Sequence, residues 1–520
     1  MTTSFKRRVA IALRLSLLTM GAGLSAGAPL WAGTMSVPVG DAVPETAYLT
    51  LYPGVYTPLE KPLVDAYLVS NAALKARGPV DVQQLVAGTL PPGTPGIGPA
   101  IKVTEPWVRY YNHKYDPDSA LRNDAAYARA LGYADILAYP TFGTNDDTFM
   151  VPYPPAIKHK LMVTQLNHQV TSLKPIYPGD TLYLVMDGRD LTDLTPPQGA
   201  TYRSVAIESR GSVYNQRGEK VNEVTFRVVE NIRIQNDRGL VDNLPFKAFW
   251  IGPNWDVRKP HTYTDDDWTF IRSIWAKEHA RGAQPLFWED VKVGETPAWT
   301  LDGPVLSSVL PVRPWGQGKG GSRTMKREIM DPALRATLTR GADGLYRAKD
   351  RAVMVPAPPT DAAGNETGTD GFDTTQIHAD GEGRTPLVNY MGRDFAIRHI
   401  TNWMGDQGWL RSIQWGIMGP EAIATTGVNF PGDPHAIDFL AGVPAANGRR
   451  VTTHPLTGDI YLIKSQVTRK YVENGRFLVE LAWWSETITG EIDEAGRATV
   501  QLPSRLSGRE GDVVEGLSRQ

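Results

Sequence analysis

The sequence predicts an α+β protein made of two fused copies of one unit, each a central helix wrapped by a curled antiparallel sheet. Two observations carry this. The order helix, Gly-Asp turn, strand meander occurs twice, first around Gly179-Asp180 and again around Gly458-Asp459. The turns inside the meanders also correspond, "NQRGEKVNEVTFRV" beside "TGEIDEAGRATVQL". A long repeat of this kind means two copies of one supersecondary unit.

The elements follow in order. Leu59–Gly78 has helical apolar spacing and a terminal glycine, and Arg122–Tyr133 is an Ala-rich helix ending near Gly132. Strand-like runs then cover Gly179–Leu191, Ala200–Gly218 and Glu219–Ile234. Thr264–Gly282 is an amphipathic helix with Thr264 as N-cap, three aspartates in its first turn, and Trp268, Ile271 and Trp275 on one face. Gly392–Leu410 is the fourth helix, followed by strands over Gly458–Gly475, Arg476–Gly490 and Arg497–Pro503. A helix followed by a curled antiparallel sheet is the hot-dog pattern. The expected organisation is a signal peptide over 1–32, an N-terminal hot-dog unit over 40–262, a connecting helix over 263–283, a C-terminal unit over 284–506 and a tail over 507–520.

Composition narrows the function. The 520 residues exceed what one hydrophobic core usually supports. A net charge of −2, with both signs interspersed, lacks the basic footprint of a nucleic-acid binder. With no cysteine, disulfides, thiolate nucleophiles and Cys-metal sites are excluded. The histidines show no metal-binding helix spacing, and no phosphate loop, dinucleotide fingerprint or G-x-S-x-G elbow occurs, so neither metal nor cofactor is expected. "GQGKGG" (316–321) reads as a loop, as do the Gly/Pro-rich stretches 307–327 and 357–370. Lys6, Arg7 and Arg8, the apolar run Val9–Leu18 and the small residues up to Ala32 form an export leader, which points to a periplasmic or secreted protein. No later run is apolar enough to span a membrane.

The stretch "GFDTTQIHAD" (371–380) carries the chemistry. Asp373, His378 and Asp380 sit at the spacing D-x4-H-x-D. Hydration of a conjugated double bond needs one group to take a proton from water and one to protonate the α-carbon. Imidazole titrates near neutrality, and a carboxylate can share the same water. Gly392, opening the fourth helix, is the candidate N–H donor to the enolate oxygen, because glycine admits a close approach and the helix dipole assists. Arg393 reads either as a binder of a substrate carboxylate or phosphate or as half of a salt bridge. Trp403, with Trp409 and Trp415, reads as core or pocket lining. Asn389 and Tyr390, just ahead of the helix, join Arg393 and Trp403 as substrate-binding candidates. His399 and Asp406, two turns apart, form a pair expected to tie the helix to its sheet. Asn112, His113, Asn167 and His168 read as structural residues or tunnel lining.

Five stretches in order resemble the MaoC-like acyl dehydratase family: "RNDAAYARALGYADILAYPTFG", "KPIYPGDTLYL", "FWEDVKVGE", "NYMGRDFAIRHITNWMGDQGWL" and "ATVQLPSR". The resemblance implies a double hot-dog fold and a hydratase motif D-x-N-P-x-H-x-D whose first Asp and His are the catalytic dyad. Thr375 and Gln376 depart from that motif. In the N-terminal copy Arg122 stands in the histidine's place and Pro117 in the first aspartate's, with Asp116 and Asp118 out of register. The resemblance implies that this half shapes a substrate tunnel. The expected function is a hydro-lyase acting on a small molecule, an acyl thioester or a free enone or acid, in a chain that forms homodimers. The alternatives are a non-catalytic periplasmic binder of an apolar small molecule and a hot-dog thioesterase.

Overall fold

The computed structural model describes residues 61–144, 160–193, 202–233, 261–306, 324–348, 391–417, 442–446 and 458–506, with Phe439 and the short segments 235–236, 239–240, 311–312 and 317–318. Asp373, His378, Asn389 and Tyr390 lie outside the described residues, as does the proposed leader.

The first unit comprises helices α1 (Lys61–Arg77), α2 (Val82–Ala87), α3 (Glu105–Tyr115), α4 (Ala120–Asn123) and α5 (Ala125–Ala130). Its strands are β1 (Ile101–Lys102), β2 (Lys160–Ser172), β3 (Thr181–Asp193), β4 (Tyr202–Tyr214) and β5 (Lys220–Arg233). Helix α6 (Asp265–Lys277) leads to the second unit. There follow β6 (Thr300–Asp302), α7 (Thr324–Met330), α8 (Pro332–Arg335), α9 (Met391–Met404), β7 (Trp409–Ile417), β8 (Tyr461–Glu473), β9 (Arg476–Glu486) and β10 (Ile492–Gln501).

These ten strands form one sheet in the order β1-β3-β4-β5-β2-β7-β10-β9-β8-β6, antiparallel at every step. Read outward from the β2–β7 junction, the two halves have the same order. The duplication extends to individual hydrogen bonds. The Gly179 N–H donates to Val103 O at 2.8 Å, and the Val103 N–H to Asp180 O at 2.8 Å. In the second unit the Gly458 N–H donates to Val305 O at 2.7 Å, and the Val305 N–H to Asp459 O at 2.8 Å. Both glycines adopt left-handed backbone, φ 94° and 88°, which explains why each Gly-Asp needs its glycine.

One continuous core joins the units, from Trp107, Tyr111 and Tyr115 on α3 through Phe395, Ile397 and Ile400 on α9 to Trp415 and Trp483 in the sheet. Every side chain from Gly392 to Ile400 is buried, so α9 is enclosed on all sides. Helices enclosed by one long curled antiparallel sheet, twice over, make a double hot-dog. A separate core seats Trp268, Ile271, Ile274 and Trp275 of α6 against Leu301, Ile329 and Leu462. Thr264 caps α6 through a reciprocal capping box with Asp267.

Local features differ from expectation in several places. Strands β2 and β7 add a fourth strand to each expected three-stranded meander. The expected helix Arg122–Tyr133 is split, because the Asp124 side chain accepts from the Ala126 and Tyr127 amides and starts a new helix. Helices α2, α3, α7 and α8 emerge where no helix is expected, and the stretch 307–327, read as loop, holds an antiparallel pairing of Pro311–Val312 with Gln317–Gly318 and the start of α7. Helix α9 stops at Met404, since Gly405 takes φ 75° and turns the chain into β7.

Candidate functional site

Helix α9 carries Arg393, Asp394, Arg398 and His399 into an apolar enclosure, so each must find partners inside the protein. The Arg393 guanidinium, 0 % exposed, donates from Nε and Nη2 to Asp394 Oδ1 at 3.0 and 2.9 Å, and its Nη1 contacts His168 Nδ1 on β2. Asp394 is held from the first unit as well: Thr141 Oγ1 donates to its Oδ1 at 3.0 Å and the Tyr139 hydroxyl to its backbone oxygen at 2.5 Å. One turn on, Arg398 Nη1 donates to Asp302 Oδ1 at 2.8 Å and to Tyr115 O at 3.1 Å, while its Nη2 donates to Asp302 Oδ2. Burial pulls the Arg398 pKa down, but the charge and hydrogen bonds of Asp302 outweigh it and the net shift is upward. His399 sits between the Thr300 hydroxyl (3.2 Å) and the Ser465 hydroxyl (2.8 Å). Burial, then the Arg398 charge, pushes its imidazole down to about 3, so it is neutral at physiological pH.

The helix start is closed by a group that the sequence reading did not single out. Glu494 on β10 accepts at Oε2 from Trp415 Nε1 at 2.8 Å and packs against Gly392. A Cβ at position 392 would lie 1.9 Å from Glu494 Oε2, so only glycine fits there. Burial pushes the Glu494 carboxyl up to about 8, against the lowering effect of Trp415, the Gly392 amide and Arg393. Lys114 on α3 is also buried, which drives its pKa well down, with Asp394 opposing.

The expected residues fall as follows. Gly392 is at the α9 N-terminus, with Glu494 packed against it. Arg393 is in the salt-bridge arrangement, paired with Asp394 in the interior. Trp403 belongs to the core, and its Nε1 donates to Glu295 at 3.0 Å. His399 and Asp406 part company: His399 ties α9 to β6 and β8, while Asp406 accepts from the Tyr127 hydroxyl at 2.7 Å. Asn112 is structural, donating to Arg122 O and Leu137 O at 2.7 and 2.8 Å. In the first unit the residue in the motif histidine's place, Arg122, lies 3.7 Å from the Asp116 carboxylate, with both buried. It also stacks over Tyr139. Beside it is a cleft of about 30 Å³ lined by Arg122, Tyr133, Tyr139, Asn222, Met404 and Trp409.

Glu494, Asp394 and Lys114 were not anticipated. Acidic residues in a strand run such as "EIDEAGRATVQ" ordinarily face solvent, and only the tertiary position of Glu494 marks it. Among the described residues, no group of three acidic or histidine side chains is placed to hold a metal ion.

No family model matches the sequence, and no curated protein does either. Solved structures that are similar include a MaoC-like dehydratase (12 % identity, TM-score 0.39, 78 % of this chain and 95 % of that one). A MaoC domain protein dehydratase from Chloroflexus aurantiacus J-10-fl is also similar (12 %, 0.37, 79 % and 94 %). A third is a conserved Mycobacterium tuberculosis protein with a double hot-dog fold (9 %, 0.38, 78 % and 94 %). The architecture of this chain stands on its own strand order and paired hydrogen bonds.

Proposed function

We propose that the protein is a hydro-lyase that adds water to, or removes it from, a double bond conjugated to a carbonyl. In this reading His378 and Asp373 hold the water. One takes its proton as the oxygen attacks the β-carbon, and a proton is then delivered to the α-carbon. Negative charge builds on the carbonyl oxygen during attack and needs an N–H donor, the role assigned to the Gly392 amide. The observation that carries the proposal is the D-x4-H-x-D spacing in the chain segment leading into α9, the enclosed helix of the second unit.

The test is hydration of crotonyl thioester and of methyl vinyl ketone by the wild-type chain, His378→Ala and Asp373→Ala. The two variants are expected to lose activity by about 10²–10⁴-fold, the usual worth of a positioned acid or base. Unchanged rates in both would remove the pair from the mechanism, and thioester cleavage in place of hydration would favour the thioesterase alternative. The export leader, which we also propose, favours a free acid or enone over a thioester confined to the cytoplasm. N-terminal sequencing of the native protein decides between them. A second reading, non-catalytic binding of an apolar small molecule, is favoured by the Glu494 carboxyl packed against Gly392 and by Thr375 and Gln376 in the motif.

A further inference from the structure

The cleft of about 30 Å³ in the first unit lies between α4, the ends of β2 and β5, and the turn from α9 into β7. Its walls are mostly apolar, with Leu121, Leu137, Met404 and Trp409 among them. Asn222 also lines it. That side chain is only 1 % exposed, and neither Oδ1 nor Nδ2 of its amide has a hydrogen-bond partner among the described residues. A buried amide left with both ends unmade costs stability, so groups of this kind are few and call for something to complete them. The charged groups lining the cleft are already matched. Arg122 donates to Ala138 O at 3.0 Å and faces the Asp116 carboxylate, while Lys174 donates to Glu219 at 2.7 Å.

The duplicated unit shows the same position in a satisfied form. In the turn before β5 the Asn215 N–H donates to Glu219 O at 2.9 Å, and in the turn before β10 the Thr487 N–H donates to Glu491 O at 2.8 Å. Three residues after each acceptor stand Asn222 and Glu494. The sheet register agrees: Asn222 pairs with Val213 and Ser172, and Glu494 with Ser485 and Ile417. Two residues before Ile417, Trp415 donates its Nε1 to Glu494. The matching residue on β2, two before Ser172, is Val170, which has nothing to donate. The first unit thus keeps a buried polar side chain at this place without the indole that serves its counterpart.

We infer that this cleft is a small-molecule site of the first unit, which takes the end of a neutral primary amide or lactam and pairs it with the Asn222 amide through two parallel hydrogen bonds. Oδ1 and Nδ2 present one acceptor and one donor side by side in a plane, and a second amide of that kind is their complement. A carboxylate offers two acceptors and no donor, and it finds no unmatched cation on these walls. A hydrocarbon fits the apolar wall but leaves Asn222 unpaired. Hydro-lyase chemistry in the second unit is not required for any of this.

The probes are acetamide and benzamide, titrated into the full chain at neutral pH and followed by saturation-transfer NMR. Acetophenone, which carries a methyl group where benzamide carries NH2, and benzoate are the comparisons. Wild-type protein is expected to bind both amides saturably, with acetophenone and benzoate about tenfold or more weaker than benzamide. Asn222→Leu and Asn222→Ser should each weaken benzamide about tenfold. Where neither variant folds, the ranking of benzamide over acetophenone and benzoate by wild type alone decides. Equal binding of benzamide and acetophenone, no saturable binding of either amide, or full benzamide affinity in a folded Asn222 variant overturns the site.

Discussion

Glu494 and Gly392 fit together because neither leaves room for anything else. Gly392→Ala places a methyl group against a buried carboxylate that is fixed by Trp415. The expected loss is about 1–3 kcal/mol, as for overpacking a filled core, measured as the shift in urea unfolding midpoint. The carboxyl also makes stability depend on pH. Its folded pKa, about 8, lies above its ordinary 4.5, so between these values the native state holds the extra proton. This contribution is fully present below 4.5 and is lost as pH rises through 8. Wild-type protein should therefore lose melting temperature over that window relative to Glu494→Gln, and parallel profiles would contradict it. At this scale the sequence marked Gly392, at the start of its helix, as a place where a substrate could approach the backbone closely. It did not reveal that the approaching group is a glutamate from a distant strand, since nothing local distinguishes Glu494 from the solvent-facing acids of other strands.

At the scale of the element, α9 is a helix whose polar residues point inward. Its apolar spacing and opening glycine were visible in the sequence. Its end was not, because the tryptophans Trp409 and Trp415 continue the apolar pattern into β7 after Gly405 has already turned the chain. The pairing of His399 with Asp406 was misread for the same reason: a helix ending at Met404 cannot carry both. Asp302→Ala leaves the Arg398 guanidinium buried without its carboxylate, and a loss of about 3–5 kcal/mol is expected in denaturant unfolding. The double change Asp302→Leu with Arg398→Met should cost clearly less, because it removes both charges. For His399 the sign is opposite to that of Glu494. Its folded pKa, about 3, lies below the ordinary 6.5, so its contribution is present above 6.5 and is lost as pH falls toward 3. His399→Gln should flatten the acid limb of the stability curve, read from melting temperatures at successive pH values.

Across the whole molecule, the units share a core and are joined strand to strand at β2–β7, with register Thr171 to Ser412 through Asn167 to Gly416. Asp394 of one unit is held by Thr141 and Tyr139 of the other, and Trp409 donates to Ser172 O at 2.9 Å. The halves therefore cannot be separate folding units. Chains covering 40–262 or 284–506 alone should show no cooperative thermal transition, because each would expose β2 or β7 as an open edge over half a core. A sharp transition in either half would contradict this. The repeat was legible because Gly-Asp and its following strands recur in order. The joining strands were not, because β2 is rich in polar residues such as Asn167, His168 and Gln169, and only the folded structure shows that His168 meets Arg393 in the interior.

The central claim, that water is added or removed under the control of Asp373 and His378, is tested most directly by following loss of the conjugated double bond of crotonyl thioester or methyl vinyl ketone with purified full-length protein. The account predicts hydration of at least one of the two by wild type and its near-abolition in His378→Ala, with the folded state intact by circular dichroism. Hydration of neither, or a His378→Ala rate equal to that of wild type, would contradict it.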